Sequence, residues 1–309
     1  LNAQAVKKVI AEHFTNTYCS VCASRNPGFY NNLWKYPQVL HIAYHPSSPY
    51  IACPLSQHNK PENDDRTNFY GVYGSTPRIV IQGSVIPSSA NYTDTNLFVS
   101  QLGQTTPFEV KVSLEQVSVT TLAVKAVVKK VAASTLTALD IYGALTEDTL
   151  FFTASNGETK HYDVFRKAVW GSNPISIAVP AAVGDSTVST QTITINSEWS
   201  LSRLHATVIL QDAAKAVVQA ERSGNVGGNL GMPMATQTIS LYPNPAKNAL
   251  FLTGVQGKYT NAIITNISGK ALLNLPAADT INISSLSSGL YFLSLAGGND
   301  TRVIKFIKE

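Results

Sequence analysis

The sequence predicts a multidomain chain in which an α/β domain is followed by all-β domains. Three observations carry this expectation. Strand-like and helix-like stretches alternate over residues 1–105. Apolar and polar residues alternate with period two over 106–221. Short hairpin-like segments fill 239–309, beyond a glycine-rich stretch at 222–238. At 309 residues the chain exceeds one typical domain of ~150 residues, and a hydrophobic fraction of 44% supplies more than one core.

The first region opens with Val6–Phe14, read as a strand. Residues 20–35 read as a helix that Pro27 kinks or breaks. Val39–Tyr44 is a second strand, residues 62–73 a second helix, and Arg78–Ile81 a third strand. Asp94 is placed to cap a helix running to Leu102. This order defines the α/β domain.

From residue 107 the period changes. Phe108, Val110, Val112 and Leu114 alternate with polar residues, as do Ile175, Ile177 and Val179, and later Leu204, Ala206, Val208 and Leu210. Ser155-Asn156-Gly157 and Val183-Gly184-Asp185 supply turns. Six to eight such strands predict an immunoglobulin-like β-sandwich over 106–221. Gly224, Gly227, Gly228, Gly231 and Pro233, in nearly uncharged surroundings, mark 222–238 as a flexible linker. Residues 239–309 then predict a second, smaller β-sandwich.

Composition narrows the function. Charged residues make up 14% of the chain, against roughly 25% in an average soluble protein. Thr, Ser, Asn, Val and Ala fill the gap, which suits a strand-rich exported protein. The net charge of +4 comes from scattered lysines. No basic stripe with interleaved aromatics argues for nucleic acid as a partner. No run approaches the ~18 apolar residues of a membrane helix, so no transmembrane segment is expected. Leu1 is not an initiator methionine, and the expectation is that a signal peptide has been removed.

The chemistry centres on Cys19-Ser20-Val21-Cys22, which follows a strand and opens the first predicted helix. A helix N-terminus presents unpaired N–H groups and partial positive charge, and both stabilise a thiolate. In a redox pair of this kind the first cysteine is the exposed nucleophile and the second resolves the mixed disulfide. Two other chemistries remain open. One is an inert structural disulfide. The other is a zinc site completed by Cys53 with His41, His45 or His58, although those residues lack finger-like spacing. Pro77 favours the redox reading. It stands in Gly74-Ser75-Thr76-Pro77 just before the third strand, where the thioredoxin fold keeps a cis-proline opposite its cysteines. Cys53 reads as a buried or loop thiol, His41 as a satisfied strand residue, and His45 as a candidate for the rim of the site. No cofactor and no metal ion is assigned.

The stretch Glu12-His13-Phe14-Thr15-Asn16-Thr17-Tyr18-Cys19-Ser20-Val21-Cys22 resembles the Glu-x-Phe-Thr-x-x-x-Cys-x-x-Cys signature of the thioredoxin-like Omp twenty-eight (outer membrane protein) family of Bacteroidetes. Ala43-Tyr44-His45, Arg66, Tyr70, Gly74 and Thr76-Pro77 fit the same pattern. The resemblance covers about residues 5–105 well and 106–221 loosely. It implies a thioredoxin-like domain over 1–105, with Cys19, Cys22 and Pro77 as catalytic residues and protein thiols or disulfides as substrates. It also implies a buried proton-handling group beneath the second cysteine. The family signature favours Glu12 for that role, whereas counting back from Cys19 without a gap gives His13. Neighbours on a strand face opposite sides, so at most one can serve. Tyr18 stands where thioredoxins usually carry Trp, and Ser20-Val21 is neither Gly-Pro nor Gly-His. Because that dipeptide tunes the redox potential, the direction of electron flow stays open.

At the other end, Tyr242-Pro243-Asn244-Pro245 precedes Ala249–Leu252, Ser268-Gly269-Lys270, Ile281–Leu286, Ser288–Leu293 and a basic closing run, Arg302–Lys308. Order and content resemble the type A sorting domain of type IX secretion over 239–309. The resemblance implies passage across the outer membrane, recognition by the type IX secretion machinery, and frequent removal of the domain afterwards. The expected location is secreted or at the cell surface or outer membrane of a Gram-negative bacterium.

Overall fold

The computed structural model describes residues 4–226, 241–252, 255, 259–267, 269–297 and 300–309. The chain divides into two compact units, Leu1–Leu230 and Gly231–Glu309. Residues 227–238 of the expected linker lie outside the described residues; its start, Arg222, still belongs to a strand.

In the first unit, β1 (Val9–Phe14) leads through a short loop into α1 (Ser20–Leu33), and β2 (Val39–Tyr44) returns parallel to β1 in the register Val9↔Val39 to Phe14↔Tyr44. Pro27 neither ends α1 nor divides it. After a one-turn helix at Pro54–Gln57 comes α2 (Lys60–Phe69), which is shorter than the expected 62–73. It stops where Gly71 adopts a φ of +67° and Val72 N–H bonds back to the Thr67 carbonyl, the hydrogen bonding of a Schellman cap. β3 (Arg78–Ile81) pairs antiparallel with β1 and turns at Gln82-Gly83 into a two-residue strand, Ser84–Val85. Gly83 is required twice there. Its φ is +85°, and a Cβ would lie 1.9 Å from the Lys215 carbonyl oxygen. Asp94 accepts from Asn96 N–H, but only the single turn Asn96–Val99 follows.

The longer strands that follow in the unit are β4 (Phe108–Ser118), β5 (Thr121–Lys130), β6 (Leu139–Glu147), β7 (Val164–Ala168), β8 (Ser186–Thr194), β9 (Leu204–Gln211) and β10 (Val217–Arg222). Four of them continue the first sheet. Its order is β10-β9-β6-β7-β2-β1-β3 and then Ser84–Val85, with Ile175–Ile177 also pairing to β6. The join is the parallel pairing of β7 to β2 at Val164↔Ala43. The expected division between 1–105 and 106–221 therefore does not separate two sheets, and the middle region is not a free-standing immunoglobulin-like sandwich. Its second layer, the three-stranded sheet β8-β5-β4, packs Leu114, Leu122 and Val124 against Leu145, Leu204 and Ala206 of the shared sheet.

The two faces of β1 carry different cores. Val9 and Ala11 pack with Phe29, Tyr30 and Leu33 of α1. Ile10 and Phe14 pack with Tyr44, Tyr70, Tyr142 and Phe165, a core that runs across the join.

The described residues of the second unit form two small antiparallel sheets. Leu241–Tyr242, β11 (Ala249–Leu252) and β14 (Thr280–Asn282) form one. β13 (Ala271–Pro276), β12 (Asn261–Asn266), β15 (Gly289–Gly297) and β16 (Asp300–Lys308) form the other. Period-two placement turns Tyr291, Leu293 and Leu295 inward onto Leu250, Ile264, Ile281 and Phe306. The proline run lies along the last strand: Asn244 Oδ1 accepts from Ile307 N–H at 2.9 Å, and Ala246 N–H donates to the Ile307 carbonyl.

Candidate functional site

Cys19 caps α1. Its backbone is extended (φ −90°, ψ 108°), and its sulfur accepts from Cys22 N–H at 3.0 Å. The local cause lies in the loop that precedes it. Asn16 Oδ1 accepts from Tyr18 N–H, which folds the loop after β1 into a side-chain-closed turn, and Asn16 Nδ2 donates to the carbonyls of Pro46 and Tyr50. Cys19 and Cys22 form a disulfide with their Cα atoms 5.1 Å apart.

Both cysteines are buried, at 1% and 0% exposure, while Tyr18 (41%) and Val21 (50%) stand out beside them. In the oxidised protein the expected exposed nucleophile is therefore covered. Part of the cover comes from Thr76-Pro77. That bond is cis, Pro77 is buried, and the Thr76 carbonyl lies 3.6 Å from the Cys19 sulfur. With no proton on a disulfide sulfur, this is a packing contact. Tyr92 OH donates to the Pro77 carbonyl at 3.1 Å and holds the segment from behind.

A third element was not anticipated from sequence: the turn at 154–158. Asn156 N–H donates to the Thr17 carbonyl at 3.0 Å, and Asn156 Nδ2 lies 3.2 Å from the Asn16 carbonyl and 3.1 Å from that of Cys19. Glu158 accepts from Asn156 through one carboxylate oxygen and from Asn26 of α1 through the other, at 2.6 and 2.7 Å. An open cleft of about 430 Å³ lies alongside, with Tyr30, Trp34, Tyr162, Asn26, Asn156 and Glu158 in its wall. The sequence marked Ser155-Asn156-Gly157 as a turn, but it carried no signal for where that turn docks.

Glu12 makes its side-chain hydrogen bonds with Arg66 and Tyr70. It lies on the face of β1 opposite α1, where Arg66 grips its carboxylate through two nitrogens at 2.7 and 2.8 Å and Tyr70 OH donates at 2.6 Å. The carboxylate of Glu12, expected to handle protons, is held here in a buried ion pair in the other core. His13 shares the α1 face, with its ring 4.7 Å from Phe29 and 5.8 Å from Tyr30. Burial holds its pKa well below the ordinary histidine value, and the nearby His41 and His45 add to the effect.

The remaining candidates scatter. His41 Nδ1 pairs with Asp163 at 3.0 Å, and Arg222 holds the other oxygen of that carboxylate at 2.8 Å. His45 is buried rather than at a rim, and burial likewise lowers its pKa well below the usual value. Cys53 is a free, buried thiol whose sulfur accepts from Thr17 Oγ1 at 3.1 Å. Among the described residues no group of three or more His, Cys, Asp or Glu is arranged to hold a metal ion. No helix among them is long and apolar enough to cross a membrane.

Fold and site together define a mostly β protein of several sheets that carries a disulfide at the start of a helix, joined in one chain to a small all-β unit. Residues 240–309 match the family described as the secretion system C-terminal sorting domain. The protein is therefore an exported one, secreted or held at the cell surface, and its carboxy-terminal unit is its point of interaction with the type IX secretion machinery. HBP35 of Porphyromonas gingivalis shares the fold over 99% of both chains, with a TM-score of 0.59 at 14% identity. A domain of the outer membrane lipoprotein Omp28 from the same organism overlaps 39% of this chain and 89% of its own, at 15% identity and a TM-score of 0.29. Red sea bream transglutaminase overlaps 72% of this chain and 34% of its own, at 9% identity and a TM-score of 0.30. No curated protein sequence matches it.

Proposed function

We propose that this protein is an exported thiol–disulfide oxidoreductase, with Cys19 as nucleophile and Cys22 as resolving thiol. The observation that carries the reading is the disulfide across the first turn of α1, with the Thr76 carbonyl packed on the Cys19 sulfur. The sheet supports it. β2-β1-β3 followed by Ser84–Val85, with α1 between β1 and β2, is the order and direction a thioredoxin-like core requires.

The chemistry balances over two exchanges. In the reduced protein the Cys19 thiolate, stabilised by the α1 N-terminus, attacks one sulfur of a substrate disulfide. A mixed disulfide forms and the other substrate sulfur leaves as thiolate. The Cys22 thiolate then attacks the Cys19 sulfur. The Cys19–Cys22 disulfide forms and the second substrate thiol is released. Run in reverse, the same steps oxidise a substrate dithiol. An extended substrate segment is recognised along the Thr76 backbone, in the manner of strand addition.

The test is a pair of variants of the full chain. Cys19→Ser abolishes exchange with a model disulfide, whereas Cys22→Ser accumulates mixed disulfides visible as mass-shifted adducts. An active wild type whose Cys22→Ser variant never accumulates adducts refutes the roles assigned. One observation favours a second reading, a scaffold with a permanent disulfide: both sulfurs are buried when oxidised. Under that reading neither glutathione nor dithiothreitol reduces the pair in the folded protein.

A further inference from the structure

The turn at 154–158 sits on the cysteine loop in a way that none of the preceding chemistry uses. Ala154 N–H bonds to the Glu158 carbonyl, Gly157 N–H bonds to the Ala154 carbonyl, and Gly157 takes a φ of +90°. This tight closure drives Asn156 and Glu158 toward α1. Asn156 then reaches the carbonyls of Asn16, Thr17 and Cys19, the residues that lead the chain into the helix. Glu158 is held between Asn156 Nδ2 and Asn26 Nδ2, and both of these side-chain partners are neutral amides. A carboxylate is thus fixed two hydrogen bonds from the Cys19 carbonyl, at the end of α1 where a thiolate would form.

We propose that Glu158, held in place by Asn156, is a positioning residue that sets the redox poise of the Cys19–Cys22 pair. The inference rests on the exchange reading above. Its physical basis is like-charge repulsion. The helix N-terminus favours the Cys19 thiolate, and a carboxylate fixed beside that terminus disfavours it. Destabilising the thiolate destabilises the reduced pair, so Glu158 biases the site toward the disulfide and makes the dithiol a stronger reductant. Glu158 acts on Tyr30 of α1 and on His161, and Lys160 and Tyr162 line the same cleft, so the cation of Lys160 offsets part of its charge. Arg25, the cation on α1 nearest the cysteines in sequence, is occupied over the Tyr92 ring and with the carbonyls of Ser88 and Ala90.

The experiment equilibrates full-length protein with defined ratios of reduced and oxidised glutathione. Each turnover converts the Cys19–Cys22 disulfide and two glutathione thiols into the dithiol and one glutathione disulfide. The pH dependence of Cys19 alkylation is followed in parallel. Glu158→Gln removes the charge; Glu158→Asp keeps it. The expected result for Glu158→Gln is a shift of about three- to tenfold toward the dithiol, roughly 15–30 mV, with the alkylation midpoint moved to lower pH. Glu158→Asp stays nearer wild type than Glu158→Gln in both readouts. A Glu158→Gln variant within about twofold of wild type, or a Glu158→Asp variant that shifts as far as the amide, overturns the inference while the exchange reading stands. A wild-type pair that refuses to equilibrate with glutathione overturns the exchange reading itself.

Discussion

Arg66→Met is the perturbation that best separates the two cores on either side of β1. Arg66 and Glu12 are 0% and 1% exposed, and two charge-assisted bonds of 2.7 and 2.8 Å join them. The guanidinium also lies 3.8 Å above the Tyr142 ring. Removing it leaves the Glu12 carboxylate buried, with the Tyr70 hydroxyl as its remaining strong donor. Breaking a buried pair in this way costs about 3–5 kcal/mol, a large part of the roughly 5–15 kcal/mol that holds a domain folded. Glu12→Leu strands the cation instead and costs a similar amount. The double variant, Glu12→Leu with Arg66→Met, fills the same volume with apolar atoms and removes both charges. Its expected cost is about 0–2 kcal/mol, far below the sum of the single changes. Urea unfolding of the residue 1–226 fragment measures all three. Single changes below about 1 kcal/mol, or a double variant that costs the sum, would refute the argument. The same variant separates roles: thiol exchange persists in it if Glu12 is structural, and its loss from a folded double variant would return Glu12 to the chemistry.

Acid is expected to weaken the first unit. His13 and His45 are held neutral by burial, so the unfolded chain, titrating near pH 6.5, binds protons that the fold cannot. Stability is therefore full above about pH 6.5 and is lost as the pH falls toward the lowered folded values. Both groups act in the same direction, so their losses add as the pH falls from 7 to 5.5. Urea midpoints at the two pH values check this, and an unchanged midpoint contradicts it. Limited proteolysis is expected to cut first within residues 222–238 and to release a folded fragment that keeps a reducible Cys19–Cys22 pair; first cuts elsewhere, or an unfolded fragment, count against independent folding of the two units.

Local features of the fold were legible in the sequence. The β1-α1-β2 order, the third strand and the cysteine pair at a helix start all follow from short-range pattern and turn chemistry. Sheet membership did not follow, because period two reports that one face of a strand is buried and not which sheet the strand joins. β9 illustrates the point. Leu204, Ala206, Val208 and Leu210 alternate as a half-buried strand would, yet Thr207 and Ile209 between them are buried as well. In β6 the run Ile141-Tyr142-Gly143-Ala144-Leu145 is apolar without interruption, the mark of a strand covered on both faces. That continuity was the available signal that the middle region lies inside a larger sheet. No comparable signal placed Asn156 against Cys19, a contact that spans 137 residues of sequence.

The shared sheet also decides how the site is assembled. β7 pairs with β2, and the segment just before β7 supplies Asn156 and Glu158 to the cysteine loop and Asp163 to His41. Phe165 on β7 and Tyr142 on β6 complete the core beneath Phe14 and Tyr44. One stretch of chain thus closes the sheet edge, fills the core behind the cysteines and holds the loop in front of them. A boundary at residue 105 would cut through all three arrangements. It would expose the β2 edge and leave Ile42 and Tyr44 without their cover. The cysteine site is therefore a property of the whole first unit rather than of its first hundred residues. A disulfide site built this way ties its geometry to contacts made more than a hundred residues away, those of Asn156 to the Cys19 carbonyl and of Glu158 to Asn26 among them.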